Sequence, residues 1–441
     1  MHLKSIKKIA FSCILSLSCA ACSIGAAATD EQAEAKVPAD KSKFHVIVLM
    51  GQSNMEGSGY PVFSEYINGT PRVLRMNKDD MEWKQASLTL GPSSGISPGY
   101  VFARQYADMH PGVTVGFIQC ALGGRSLQQL SENGERLSNG KTVYQDSIDR
   151  IKEAQKVGEI KAILWHQGES DSGDRNYVKR LAAYVEKLRK DINEPNVPFI
   201  AGEIGPWGGQ VNFNRNIASL ESSIPNSGLA SAENLKHRGD EIHFSSFSHY
   251  ILGSRYLAKF YKLTDKKMAE KYDAELKKIE ADMYAKDNDW KIIYNGDMSL
   301  GEIRPLGWDA RYYGQTGEVI GIKDTKVFAS SPASLRVENV GGPASNHVGT
   351  CLRDVKGKKI RVSCKIKNEG FTECWLYFFG LNGGFSPCAE KILCDGTNAK
   401  EWTSYTAEYN VPASAIRDRL YFHVKGEGKA WLDDVKVEVI P

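Results

Sequence analysis

From residue 43 to about 263 the apolar positions fall into two alternating textures. Short β-branched runs read as buried strands: Val46-Ile47-Val48-Leu49, then 113–118, 161–165, 197–202 and 229–232, with 72–76 as a further short one. Between them, apolar residues recur at intervals of three and four, the spacing of a half-buried helix. Segments 98–109, 143–157, 175–192, 213–222 and 247–261 are of this kind. In 175–192, for instance, Val178, Leu181, Val185 and Leu188 share one face. This alternation predicts a parallel sheet with helices on both faces, a three-layer α/β/α unit.

Segment 265–287 departs from that pattern. It is rich in Lys and Glu, and Met268, Tyr272, Leu276, Ile279 and Met283 recur at helical intervals. It is read as one amphipathic helix that docks on a domain surface and acts as a spacer. Beyond Trp290 short runs dominate, such as 334–337, 360–363, 375–379, 419–424 and 431–440, punctuated by glycine and asparagine. That texture predicts an all-β sandwich. The expected order is therefore an α/β domain at 43–263, a linker helix at 264–288 and a β-sandwich at 289–441.

Composition adds little until the N-terminus is considered. Charged residues are 25% and hydrophobic residues 41% of the 441, as in ordinary globular chains. The formal charge is only +3, and Lys4, Lys7 and Lys8 supply three of those charges. No basic patch points to nucleic acid or an anionic membrane surface. Those lysines precede a short apolar stretch, 9–21, and then small residues. This reads as a signal peptide over 1–28, with a flexible tether at 29–42. Ala26-Ala27-Ala28 suits ordinary cleavage, and Cys22 after Ala20-Ala21 suits a lipid-modified cysteine. The protein is thus expected to be exported, whether secreted, periplasmic or lipid-anchored at the cell envelope. The anchor is the one membrane contact expected. Of nine cysteines, Cys351, Cys364, Cys374, Cys388 and Cys394 cluster near the C-terminus. In an exported protein that cluster permits disulfides. No Cys-x-x-Cys with nearby histidines suggests zinc.

The chemistry lies at the carboxyl ends of the predicted strands, where open α/β sheets bind ligands. Gly51-Gln52-Ser53-Asn54-Met55 follows the first strand. Cys120-Ala121-Leu122-Gly123-Gly124-Arg125 and Trp165-His166-Gln167-Gly168-Glu169 follow two others. Gly239-Asp240-Glu241-Ile242-His243 comes after the last. A serine nucleophile needs a base, a carboxylate to orient that base, and donors facing the developing oxyanion. Ser53 suits the first role. Asp240 and His243, three residues apart, suit the pair behind it. The Gly123-Gly124 backbone and the Gln167 amide suit the oxyanion. Taken singly, each feature also has a bland reading as a cap, a turn or a buried amide. Glu169 is an alternative acid. Gln52, Asn54 and Arg125 are candidate substrate-binding residues, with Asn54 also placed to pin its loop. Cys120 ends an apolar strand and is read as a small core residue rather than a nucleophile.

These motifs, in this order, resemble the SGNH-type hydrolases, and within them the sialate O-acetylesterase and acetylxylan esterase branch, carbohydrate esterase family six. The resemblance covers about 43–263. It implies a flavodoxin-like α/β/α fold, Ser53 as nucleophile and His243 as base. It implies an oxyanion hole of the Ser53 and Gly124 N–H groups with the Gln167 side chain. It implies removal of O-acetyl groups from an acetylated oligo- or polysaccharide, with no metal or other cofactor. Acetylxylan, a related acetylated glycan and O-acetylated sialate all fit, and a non-catalytic carbohydrate-binding protein is the reading from another class. The C-terminal region, with Asn295-Gly296-Asp297-Met298 and 431–437, resembles jelly-roll carbohydrate-binding modules. There Trp375 and Trp431, within strands, are read as core. Trp308, Tyr312 and Tyr313 are the candidates for stacking on sugar rings.

Overall fold

The structure, a computed structural model, describes residues 36–60, 62–88, 95–207, 210–290, 292–308, 320–383 and 386–441. The leader with Cys13, Cys19 and Cys22, the first half of the tether, and Tyr312 and Tyr313 lie outside the described residues.

The first domain is built on a seven-stranded sheet. Its strands are β1 (Phe44–Gly51), β2 (Val73–Met76), β3 (Trp83–Gln85), β4 (Thr114–Gln119), β5 (Glu159–His166), β6 (Phe199–Gly202) and β7 (Ser227–Ala230), in spatial order β3-β2-β4-β1-β5-β6-β7. All pairings are parallel except β2 with β3. The run β4-β1-β5-β6-β7 is the flavodoxin-like order, and β2 and β3 extend its edge. Every residue of β1 but His45 is buried, as both faces are covered. Ile47 and Leu49 pack on one side, and Val46, Val48 and Met50 on the other. Each such side chain contributes about 1.5–3 kcal/mol on burial.

The helices are α1 (Ser53–Glu56), α2 (Ser64–Asn68), α3 (Pro98–Met109), α4 (Val143–Val157), α5 (Tyr177–Asp191), α6 (Val211–Ile217), α7 (Leu220–Ser223), α8 (Ser246–Thr264) and α9 (Lys266–Asp289). Thr142 and Gln145 close a capping box at the start of α4, which fixes where that helix begins. The single helix expected over 213–222 is two short ones. α9 lies on α8 and buries Ala269, Tyr272, Met283 and Asp287.

The second domain is an antiparallel sandwich of β8 (Ile320–Asp324), β9 (Ser334–Cys351), β10 (Lys359–Glu369), β11 (Glu373–Leu381), β12 (Pro387–Asp395), β13 (Thr403–Asn410) and β14 (Arg417–Ile440). Two short strands were expected over 419–440. Instead β14 is continuous, with a register shift at Gly426/Gly428. Its first half pairs with β11 and its second half with β10, while β9 follows it through both halves. Alternation along β10 sends Ile360, Val362, Cys364 and Ile366 into the core. The described cysteines are all free thiols, and Cys364, Cys374 and Cys394 fill this same core. Trp308 is core, 3% exposed, with its indole N–H on the Asn295 carbonyl at 3.1 Å, so it offers no face to a sugar. Trp431 is core as expected. Trp375 is not: Cys374, Leu376 and Phe378 point inward, leaving Trp375 half-buried on the outer face, stacked on His423.

Candidate active site

The sheet order reverses between β1 and β5, which opens a crevice at their carboxyl ends. β1 runs directly into it. Gly51 has φ +122°, and a Cβ there would lie 2.1 Å from the His166 carbonyl oxygen. Only glycine permits that turn and that approach. Gln52 N donates to the same carbonyl at 2.9 Å, and Ser53 opens α1 beside it.

Asp240 and His243 arrive on a small hairpin. His237 and Phe244 form an antiparallel bridge. Arg238 N donates to the His243 carbonyl, and Ser245 N to that of Lys236, both at 2.9 Å. At the tip, Asp240 Oδ1 accepts from Ile242 N at 3.2 Å and His243 N at 2.8 Å, a side-chain turn that locks the carboxylate. Its Oδ2 lies 2.7 Å from His243 Nδ1, and His243 Nε2 lies 2.8 Å from Ser53 Oγ. Burial opposes ionisation of Asp240, but the facing His243 and Arg238 and the hydrogen bonds from His243 outweigh it. The carboxyl is held well below the usual carboxylate range. An ionised Asp240 keeps the Nδ1 proton in place and leaves the Nε2 lone pair facing the serine hydroxyl.

Glu169, the alternative acid, meets other partners. Its Oε1 accepts from Asn54 Nδ2 at 2.7 Å and lies 3.6 Å from His166 Nε2. Asn54 is fully buried, so it does not face substrate. It bonds Glu169 and the Ile242 carbonyl through Nδ2, and takes Ser58 Oγ and Phe244 N on Oδ1. It thereby ties the nucleophile turn to the acid–base hairpin. Gln52 is also buried, with Oε1 3.4 Å from Gln167 Nε2. Arg125 is pinned by Glu135, at 2.8 and 2.5 Å, and by the Gly123 carbonyl at 2.9 Å.

The Gln167 amide differs from expectation. Its Nε2 has two hydrogens and three acceptors: Asp171 Oδ2 at 2.6 Å, the Arg125 carbonyl at 3.2 Å and Gln52 Oε1 at 3.4 Å. Tyr177 donates to its Oε1 at 2.7 Å. In this geometry the amide ties three loops together and has no hydrogen left for an oxyanion. The backbone donors are better placed. Gly123 packs on the serine, as a Cβ there would lie 3.6 Å from Ser53 Cβ. Gly123 N is held by Glu56 Oε2 at 2.9 Å. The Ser53 and Gly124 N–H groups meet no protein acceptor among the described residues.

Three supporting residues escaped the sequence reading. Arg238 is buried, with Nε 2.9 Å from Asp240 Oδ2. Glu56 holds Gly123, and Asp171 holds Gln167. Two of them lie close in sequence to the groups they serve, Asp171 four past Gln167 and Arg238 two before Asp240, whereas Glu56 is 67 positions from Gly123. Spacing of that kind on a turn was the available signal. Among the described residues no group of three or more His, Cys, Asp or Glu side chains is arranged to hold a metal ion.

Comparison with known proteins bears on the first domain. A "probable carbohydrate esterase" of Arabidopsis thaliana is 29% identical over 246 residues, 49% of this chain and 91% of that protein. Among solved structures, a protein from Arabidopsis thaliana is 25% identical with TM-score 0.43, covering 49% of this chain and 98% of that one. A carbohydrate acetylesterase from Xanthomonas citri is 12% identical with TM-score 0.40, covering 86% of this chain and 78% of that one. Residues 43–262 match the family described as carbohydrate esterase, sialic acid-specific acetylesterase. Residues 43–262, with Ser53, His243 and Asp240 in line at the mouth of the sheet, are a carbohydrate esterase domain of that family.

Proposed function

We propose that the protein is an exported serine esterase that removes O-acetyl groups from a neutral glycan, such as acetylxylan, through an acetyl-enzyme. The observation that carries this reading is the line Ser53 Oγ, His243 Nε2, Nδ1, Asp240 Oδ2, with steps of 2.8 and 2.7 Å, inside a carbohydrate esterase domain. Ser53 Oγ attacks the acetyl carbonyl carbon as its proton passes to His243 Nε2. The negative oxygen that forms is met by the N–H groups of Ser53 and Gly124. Asp240 stabilises the imidazolium. The tetrahedral species collapses, the bond to the sugar oxygen breaks, and that oxygen takes the proton from Nε2. Water then attacks the acetyl-serine with His243 as base, releasing acetate and restoring Ser53.

Arg125 bears on the choice of sugar. Its guanidinium would suit a sialate carboxylate, but Glu135 already occupies it. This favours a neutral acetylated glycan over sialate. Export rests on the charged start and apolar run of the leader, and whether Cys22 carries a lipid is a separate measurement by mass. The test is acetate release from acetylated xylan, other acetylated polysaccharides, O-acetylated sialate and an activated acetyl ester. Wild type is expected to act on the activated ester and on a neutral glycan. Ser53→Ala is expected to lose nearly all activity while remaining folded. An unimpaired Ser53→Ala, or a wild type inert on every ester, removes the proposal.

A further inference from the structure

Asp240 sits between the His243 ring on one side and the Arg238 guanidinium on the other. Two edges of the Arg238 guanidinium are committed to hydrogen bonds, and the third faces the His243 ring. Nε lies 2.9 Å from Asp240 Oδ2, Nη1 bonds the Ser58 carbonyl, and Nη2 lies 3.4 Å from His243 Nδ1. Its planar face lies over the Tyr60 ring, 5.6 Å from the centroid. Arg238 therefore contacts both members of the acid–base pair without facing the serine.

What fixes Arg238 comes partly from the second domain. Cys351, Leu352 and Arg353 follow one another just at the end of β9. Cys351 N donates to the Tyr60 hydroxyl at 3.1 Å. The Leu352 carbonyl presses on the hairpin: a Cβ on Gly239 would lie 2.3 Å from its oxygen, and Gly239 has φ +119°. Arg353 Nη2 lies 2.6 Å from Asp287 Oδ1, and Asp287 Oδ2 accepts from Ser245 Oγ at 2.6 Å and Ser248 Oγ at 2.9 Å. Ser245 caps α8 two residues past His243. Three consecutive sandwich residues thus brace the floor, the tip and the exit of the hairpin.

We propose that Arg238 is a positioning residue for the Asp240–His243 pair, and that the sandwich holds it there through Cys351 and Tyr60, so that both domains form one catalytic unit. This rests on the esterase reading for its kinetic consequence only. The position of the pair has a readout of its own. A histidine Nδ1–H held by a carboxylate gives a low-field proton resonance, independent of any substrate.

The experiment uses the full chain. Proton spectra and steady-state kinetics on an activated acetyl ester are compared for wild type, Arg238→Met, Arg238→Lys, Tyr60→Phe and Ser53→Ala. Arg238→Met is expected to lower kcat by on the order of 10²-fold, the scale of a misplaced catalytic group, with KM changed little. Its low-field resonance is expected to shift or vanish, whereas Ser53→Ala keeps it. Arg238→Lys is expected to recover part of both, since an ammonium supplies the charge but not the planar fork. Tyr60→Phe keeps the ring and removes the acceptor for Cys351 N, so it is the milder variant should Arg238→Met not fold. It is expected to move kcat and the resonance in the same direction by a smaller amount. If the resonance and kcat stay at wild-type values in Arg238→Lys and Tyr60→Phe, the positioning role is wrong. If the resonance responds to Arg238 while wild type cleaves no ester, the esterase reading falls and the positioning role stands.

Discussion

The nucleophile and its base are held by different parts of the molecule. Ser53 sits on a turn secured inside its own sheet, by the His166 carbonyl beneath Gly51 and Gln52 and by the buried β1. His243 sits on a hairpin whose outer side is backed by another domain, through Leu352 against Gly239 and Arg353 on Asp287. Asn54 joins the two by bonding the Ile242 carbonyl and Phe244 N. The contrast teaches where each kind of change should act. A change under Ser53 acts within one domain, whereas a change behind His243 is felt across the seam.

The largest expected effect sharpens the hairpin side. Asp240→Asn should lower kcat by on the order of 10⁴-fold, because the imidazole loses its oriented tautomer. Glu169→Gln, one step removed through Asn54, should cost far less. Acetyl-ester kinetics on both variants decide it, and a larger loss for Glu169→Gln would reverse the assignment. Next comes the seam. Arg353→Met leaves Asp287 buried without its partner, so unfolding by denaturant should show a loss of about 3–5 kcal/mol. An unchanged midpoint would mean that the sandwich does not brace the hairpin. On the Ser53 side, Gln167→Ala should lower kcat, yet by less than the 10²–10³-fold that loss of a direct oxyanion donor costs. A full loss of that size would show that Gln167 leaves Asp171 during the reaction. The smallest effect belongs to the sandwich. Asp418 lines a cavity of about 370 Å³ beside Gly239 and Glu241, and burial raises its carboxyl from 3.8 to about 7. Its contribution to stability is fully present below pH 3.8 and lost as pH rises through about 7. Asp418→Asn should therefore raise Tm by a few degrees at pH 8 relative to wild type, with no gain at pH 4. Thermal melts at the two pH values measure it, and equal shifts at both would refute the ionisation.

What was legible in the sequence follows the same division. The parallel sheet, the turn at Ser53 and the Asp240–His243 spacing are local features, written in runs of a few residues. The Trp308 reading went wrong because a polar surrounding says nothing of the Asn295 carbonyl that receives its indole N–H. Gln167 was recognised as important, but its partners lie on three loops that only the folded chain assembles. The brace behind the hairpin was illegible for a stronger reason. Tyr60 and Cys351 are 291 positions apart, and no periodicity links two residues at that distance. The continuity of β14 was hidden by Gly426 and Gly428, which read as a break between strands and prove to be a shift within one.

β14 also bears on how the protein is made. It follows every other described strand in sequence, yet β9, β10 and β11 all pair with it. The α/β domain, which precedes it, has every strand of its sheet available much earlier, and domains generally fold in the order in which they emerge. The sandwich lacks its central strand until β14 arrives. If the hairpin needs that sandwich behind it, the nascent protein carries a folded but unbraced active site, and competence comes with β14.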